Sequence, residues 1–300
     1  MGLFVHEDPY YDPDVRQVGF NRYKQLLSRH AFSWIKLNLL TVAGALPLAA
    51  GIGYAILSSS ILVLIPLSIV GGMIWGPFLA GLYDGILRGL RDAPESWWTA
   101  WRKSLRQNGR ESLLPGAVLG LLIGMYAFMA ALFWWSAAPQ SLGTIALYLF
   151  SAALFLLLNS LYWPQLVLFR QTALNRMRNI ILFTAKYAWH MAGIAVLQLI
   201  YAMIYVLLAP WTLLLVPVLG FWYITFLSQF FIYEPLNKEL EIEKNSKLLL
   251  SKQSHSQTQC LTFTNSGVKK AAARWIGFQQ AAAVLKMRME AARIHHSLTN

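Results

Sequence analysis

From Ser33 to Leu87 the chain carries only two charged residues, Lys36 and Asp84; from Leu113 to Phe169 and from Tyr187 to Tyr233 it carries none. A helix crossing roughly 30 Å of hydrocarbon needs about 20 apolar residues, so each stretch holds two crossings. Each also has one internal break. These are Ser58-Ser59-Ser60, Ala137-Ala138-Pro139-Gln140-Ser141 and Ala209-Pro210-Trp211. Backbone groups in lipid must pair within the segment, and the alternating short segments of a β-barrel are missing, so the stretches are read as helices. The pattern predicts an all-α polytopic membrane protein, a six-transmembrane-helix bundle built as three helical hairpins. The spans fall at about 33–57, 61–87, 113–135, 143–169, 187–209 and 212–233. Outside this membrane domain (33–233) lie an N-terminal arm (1–32) and a tail (234–300).

Charge gives the orientation. Lys and Arg number 25 against 13 Asp and Glu, a net charge of +12. In a soluble protein that balance would suggest nucleic acid. With only 13% charged residues, about half the usual share, it reads as loop charge in a membrane protein. The cations fall in the arm through Lys36, in Arg88–Arg110, in Arg170–Lys186 and from Lys238 onward; the three alternate loops hold none. The positive-inside rule then places both termini of this multi-pass protein in the cytoplasm. No cleavable leader is expected, because the first 31 residues are polar and the first apolar run is too long. The single cysteine, Cys260, excludes an internal disulfide and multi-cysteine metal sites. No cofactor, metal or catalytic group is expected.

The stretch "APESWWTAWRKSLRQNGRES" (Ala93–Ser112) is a charged, aromatic island between spans 2 and 3. On a helix over about 94–110, Trp97, Trp98 and Trp101 share one face, and Arg102, Lys103, Arg106 and Arg110 share another. That is the pattern of an interfacial amphipathic helix whose cations meet anionic headgroups. Docking onto a cytoplasmic partner is the alternative; nucleic acid is not expected, since a short loop holds no nucleic-acid-binding fold. Trp34, Trp163 and Trp189 suit one membrane boundary, and Trp134, Trp135 and Trp211 the other.

Asp84 is the one carboxylate within a predicted span. Arg88 follows one turn later, and the spacing predicts an interfacial ion pair, with a working intramembrane acid as the sharper alternative. Asn38, Thr41, Asn159, Gln198 and Gln229 are uncharged polar residues within the spans. Hydrogen bonding between helices accounts for such residues. Asn159, Gln165 and Gln198, with Tyr162 and Trp163, could instead line a polar pocket for a neutral solute. Gly71-Gly72, Gly76-Pro77 and Gly81 allow span 2 a close approach to another helix.

"NLLTVAGALP" (Asn38–Pro47) and "GPFLAGLYDGILRGLRDAPESWWTAWRKSLRQN" (Gly76–Asn108) resemble the first span, and the second span with its following loop, of the YesL family of bacterial membrane proteins. The similar features are Gly76, Pro77, Gly81, Leu82, Tyr83, Arg88, Arg91, the three tryptophans, Arg102, Lys103 and Asn108. The family has no assigned molecular function. Its members accompany sugar-uptake ABC transporters, which implies a role near carbohydrate import and ABC permease subunits as partners. The resemblance brings no catalytic residues. The tail departs from the family: after a polar linker (Ser251–Gln259), an amphipathic helix is expected over about 267–296.

Three functions compete at this point. One is a non-enzymatic accessory or regulator of a transport system. Another is a permease for a small neutral solute, against which stands the lack of a charged coupling group in mid-span. The third, an enzyme, finds no G-x-S-x-G, H-E-x-x-H or P-loop pattern in the chain.

Overall fold

A computed structural model describes residues 16–93, 96–135, 140–169, 171–209 and 211–240. The chain divides into two compact units, Met1–Pro235 and Leu236–Asn300. The expected helix at 267–296 lies outside the described residues.

The described residues are helical, and the protein is an all-α polytopic bundle. Its elements are α1 (Gly19–Leu57), α2 (Ile61–Leu90), α3 (Trp97–Trp135), α4 (Leu142–Leu168), α5 (Ala173–Lys186), α6 (Ala188–Leu207), a single 3₁₀ turn (Trp211–Leu215) and α7 (Val216–Leu240). Among the described residues, six segments are long and apolar enough to cross a membrane: α1, α2, α3, α4, α6 and the stretch Trp211–Glu239. Large apolar side chains such as Leu62, Leu147, Phe150 and Val206 point outward along them, as lipid-facing surfaces require.

Two helices are longer than their apolar runs predict. α1 starts at Gly19, well before Ser33, so much of the expected arm is helix. α3 starts at Trp97 and continues unbroken through Ser112 and Pro115 to Trp135. The island at about 94–110 is therefore not a separate helix lying along the membrane but the first turns of the third span. The reason lies in its packing, since Trp101 is buried against α2, over Gly81 and Phe78.

The turn between α1 and α2 is a Schellman closure. Ser59 adopts a left-handed conformation (φ 51°), the Ser60 amide donates to Ala55 O at 3.1 Å, and the Ser59 amide to Ile56 O at 3.1 Å. α2 ends the same way on Asp92 (φ 54°), with Ala93 N bonded to Arg88 O at 3.0 Å and Asp92 N to Gly89 O at 3.2 Å. Aspartate is one of the few residues other than glycine that visit this conformation routinely.

α2 makes its most extensive contacts with α3 and then with α1. The α2–α3 contact is backbone against backbone. A methyl group at Gly116 would meet Gly72 O at 2.5 Å and Gly76 Cα at 2.9 Å, and one at Gly72 would meet Gly120 Cα at 2.8 Å. Glycines at 72, 76, 116 and 120 thus form a small-residue seam, the usual means by which helices associate without a hydrophobic drive between them. α1 and α2 are held together by side chains fitted to each other's glycines. Trp34 lies on Gly89, Leu37 on Gly85 and Phe78 on Gly44.

Trp34 and Trp163, expected at a membrane boundary, are instead fully buried. Trp34 packs on Phe226 with ring centroids 4.6 Å apart, and Trp163 stacks on Tyr83 at 6.2 Å. Trp134, Trp135, Trp189 and Trp211 are exposed, as boundary anchors would be.

Candidate functional site

Three polar groupings stand out from the apolar bundle. The first is built by α1 on the opening turns of α7. Asn38 is completely buried. Its Nδ2 donates to Val216 O and Pro217 O, both at 2.8 Å, and its Oδ1 accepts from Phe221 N at 2.9 Å and Trp222 N at 3.1 Å. Phe221 N–H and Pro217 O are the pair that an i→i−4 bond would join, so the amide bridges the helix's own ladder. Nearby, the Tyr201 hydroxyl lies 2.9 Å from Gly220 O, and Thr212 Oγ1 donates to Tyr205 O at 2.7 Å. The turn between α6 and α7 is otherwise apolar, so side chains satisfy its open backbone groups.

The second grouping is a seam joining α4, α6 and α7. Gln198 Nε2 donates to Ser160 Oγ, and to Ser228 Oγ at 2.8 Å; Gln229 Nε2 donates to Ser160 O at 2.9 Å. The amide oxygens of Gln165, Gln198 and Gln229 are buried and accept no hydrogen bond. A buried acceptor left without a donor costs about 1–3 kcal/mol, so this seam is a place where the bundle holds unsatisfied polarity. Of the expected pocket residues, Gln198 and Gln165 are buried. Asn159 is only half-buried and is occupied within its own helix, where its Oδ1 accepts from Trp163 Nε1 at 2.7 Å. Ser160 and Ser228 were not expected at this junction. Serine in a span is too common to single out, and only the side-chain network identifies them.

The third grouping is ionic and has two parts, one where α1 starts and α2 ends, the other around Arg176 of α5. Arg88 Nε donates to Asp84 Oδ2 at 2.9 Å, one turn apart on α2, with the carboxylate buried. Arg22 is buried on α1. It donates to Asp92 Oδ2 at 2.6 Å, to Leu90 O at 3.2 Å and to Gln25 Oε1 at 2.8 Å, so it caps the end of α2 with charge and hydrogen bonds together. Arg176 on α5 is buried too; it donates to Tyr162 OH at 3.1 Å and to Gln171 O at 3.2 Å, and lies 3.8 Å from Glu111. His30 sits beside this ionic end, against Trp34. Burial holds its pKa below the usual 6.5; Arg29 and Arg22 act in the same direction and Asp92 in the opposite one.

The island's residues divide between packing and exposure. Trp98 stacks on Trp101 with centroids 5.2 Å apart, and Lys36 lies 5.3 Å over Trp97. Arg102, Lys103, Arg106 and Arg110 are exposed along one face of α3, with Arg102 5.3 Å over Trp98. Among the described residues, no three His, Cys, Asp or Glu side chains gather in a way that could hold a metal ion. No family model, curated protein or solved structure matches the chain.

Proposed function

We propose that this integral membrane protein is a non-enzymatic accessory of a solute-uptake system in a bacterial cell membrane, with both termini cytoplasmic and carbohydrate as the solute class. The observation that carries the reading is the exposed basic face of α3. Arg102, Lys103, Arg106 and Arg110 extend straight from a span whose Trp101 is packed onto α2. Such a face presents four cations at a fixed height to acidic headgroups or to an acidic loop of a permease subunit. The likeness of Asn38–Pro47 and Gly76–Asn108 to the YesL family supports the link to ABC importers of sugars. Hydrogen bonding of Asn38 and Gln198 between helices fits a scaffold, since these amides join elements together.

Affinity purification of the full chain in mild detergent tests the reading. Recovery of ABC permease subunits, lost on changing the four cations to Gln, is the expected result; recovery of the protein alone counts against it. Reporter fusions after Ser59 and Gln140 should read outside, and fusions after Asn108 and Asn175 inside.

One observation favours a second reading, a permease for a small neutral solute. The three amide oxygens of Gln165, Gln198 and Gln229 could accept from solute hydroxyls if the seam parted. Flux of a radiolabelled sugar into liposomes holding only this protein, abolished by Gln198→Leu, would establish it.

A further inference from the structure

α5 is a 14-residue helix placed between two spans with almost no slack. Only residues 169–172 separate it from α4, and Tyr187 serves at once as the last cap of α5 and the first of α6. Its start is fixed by Thr172, whose side chain accepts from Asn175 N at 3.4 Å. An element tethered this way to the ends of two crossing helices stays at the membrane's surface.

The helix has two different sides. Arg176, Ile180 and Phe183, spaced four and three apart, are buried against the bundle. The side opposite carries Leu174, Met177, Ile181 and Leu182, of which Leu174 is 80% exposed and Ile181 61%. An apolar side turned away from the protein, on a helix also bearing Asn175, Arg178, Asn179 and Lys186, would be unfavourable in water. It continues directly into the exposed apolar surface of α6, beginning with Trp189. α5 contains no acidic residue, and Arg178 and Lys186 border the Leu174–Ile181 side along one edge.

We infer that α5 is the protein's interfacial anchor: its Leu174–Ile181 side is immersed among phospholipid acyl chains, and Arg178 and Lys186 engage the acidic phosphates of the same leaflet. The depth of such a helix is about 5–10 Å below the headgroup boundary. The buried Arg176, bonded to Tyr162 of α4, lies on the opposite side of α5, against the bundle. This surface is separate from the basic face of α3, and the inference stands whatever the protein's role in transport.

The test uses the full chain with Cys260→Ser, carrying bimane on Ile181→Cys or, in a second variant, on Leu174→Cys, in phosphatidylcholine–phosphatidylglycerol nanodiscs. Bromine on the acyl chains should remove most of the bimane fluorescence at both positions, while aqueous iodide should remove little. Bromine carried only by phosphatidylglycerol should quench more than the same amount carried only by phosphatidylcholine. Arg178→Gln with Lys186→Gln should abolish that difference. Quenching by iodide as strong as that of free bimane–cysteine, with no response to bromolipid, would show that the side faces water or a protein partner and overturn the inference. Equal quenching by the two brominated lipids would overturn the assignment of Arg178 and Lys186 to phosphates.

Discussion

Asn38 and Pro217 are joined by a 2.8 Å hydrogen bond from the Asn38 amide to the proline carbonyl, and that amide makes three further bonds to the same two turns of α7. One side chain on α1 therefore completes the start of a helix far along the chain. Replacing it with leucine, of similar volume, would remove all four of these hydrogen bonds. A buried group left without any partner costs about 1–3 kcal/mol. Asn38→Leu should lower the unfolding temperature in detergent substantially. Asn38→Asp should also destabilise, because a carboxylate still accepts from Phe221 and Trp222 but cannot donate to Val216 and Pro217. An unchanged melt for Asn38→Leu would show that these groups find other partners.

The α2–α3 seam predicts a contrast between glycines. Gly116→Ala places a methyl group against Gly72 O and Gly76 Cα, where only backbone movement can make room. Overpacking of this kind costs about 1–3 kcal/mol. Gly193 on α6 has nothing within 4 Å of the same added atom. Gly193→Ala should be neutral or stabilise by roughly 0.5–1 kcal/mol, the gain expected for replacing a mid-helix glycine. Thermal melts of the two variants side by side check this, and equal losses would contradict it.

The Asp84–Arg88 pair is buried on the acid's side and partly open on the base's side. Arg88→Ala leaves a buried carboxylate without its 2.9 Å partner, and breaking such a pair costs about 3–5 kcal/mol. Asp84→Asn is neutral at that site, and Arg88 can reach outward with its long stem. Arg88→Ala should therefore destabilise clearly more than Asp84→Asn. A larger loss for Asp84→Asn, or a loss of function at normal abundance, would assign the acid a working role.

His30 gives the ionic end a pH dependence. Its pKa is held below 6.5 in the folded protein, chiefly by burial, so the unfolded chain binds more protons once the pH falls below that value. Stability then rises with pH through the window just beneath 6.5 and is lost on acidification. Amide exchange in Gly19–Lys36, corrected for its intrinsic rate, should accelerate as the pH falls from 7 to below 6.5, and His30→Phe should flatten the change. Exchange that slows on acidification, after correction for its intrinsic rate, would reverse the sign and refute the assignment.

The helical bundle was legible because apolar runs of double length admit few other structures, and because the breaks at Ser58–Ser60 and Ala209–Trp211 stand out within them. The glycines of α2 also signalled a close approach, though not that Gly116 and Gly120 of α3 would be the answering pair. The island's spacing showed a helix and its aromatic face. It could not show what covers Trp101, and α2 does so. Asn38 was visible as a polar residue in a span, but its partners lie 178 to 184 residues away, beyond any periodicity. α5 was missed because its apolar residues alternate with arginine and asparagine, which lowers its mean hydropathy. Leu174, Met177 and Ile181, at spacings of three and four, were the signal available.

The glycine seam also divides the molecule into parts that can and cannot move. Where backbone lies on backbone, sliding α3 along α2 would drive Cα atoms over one another at every intermediate step, so this pair behaves as a fixed spine. α6 and the start of α7 are held by amides and hydroxyls that can exchange partners one at a time. A rearrangement of this bundle would therefore meet less resistance on that side, with the spine as the frame against which it is measured.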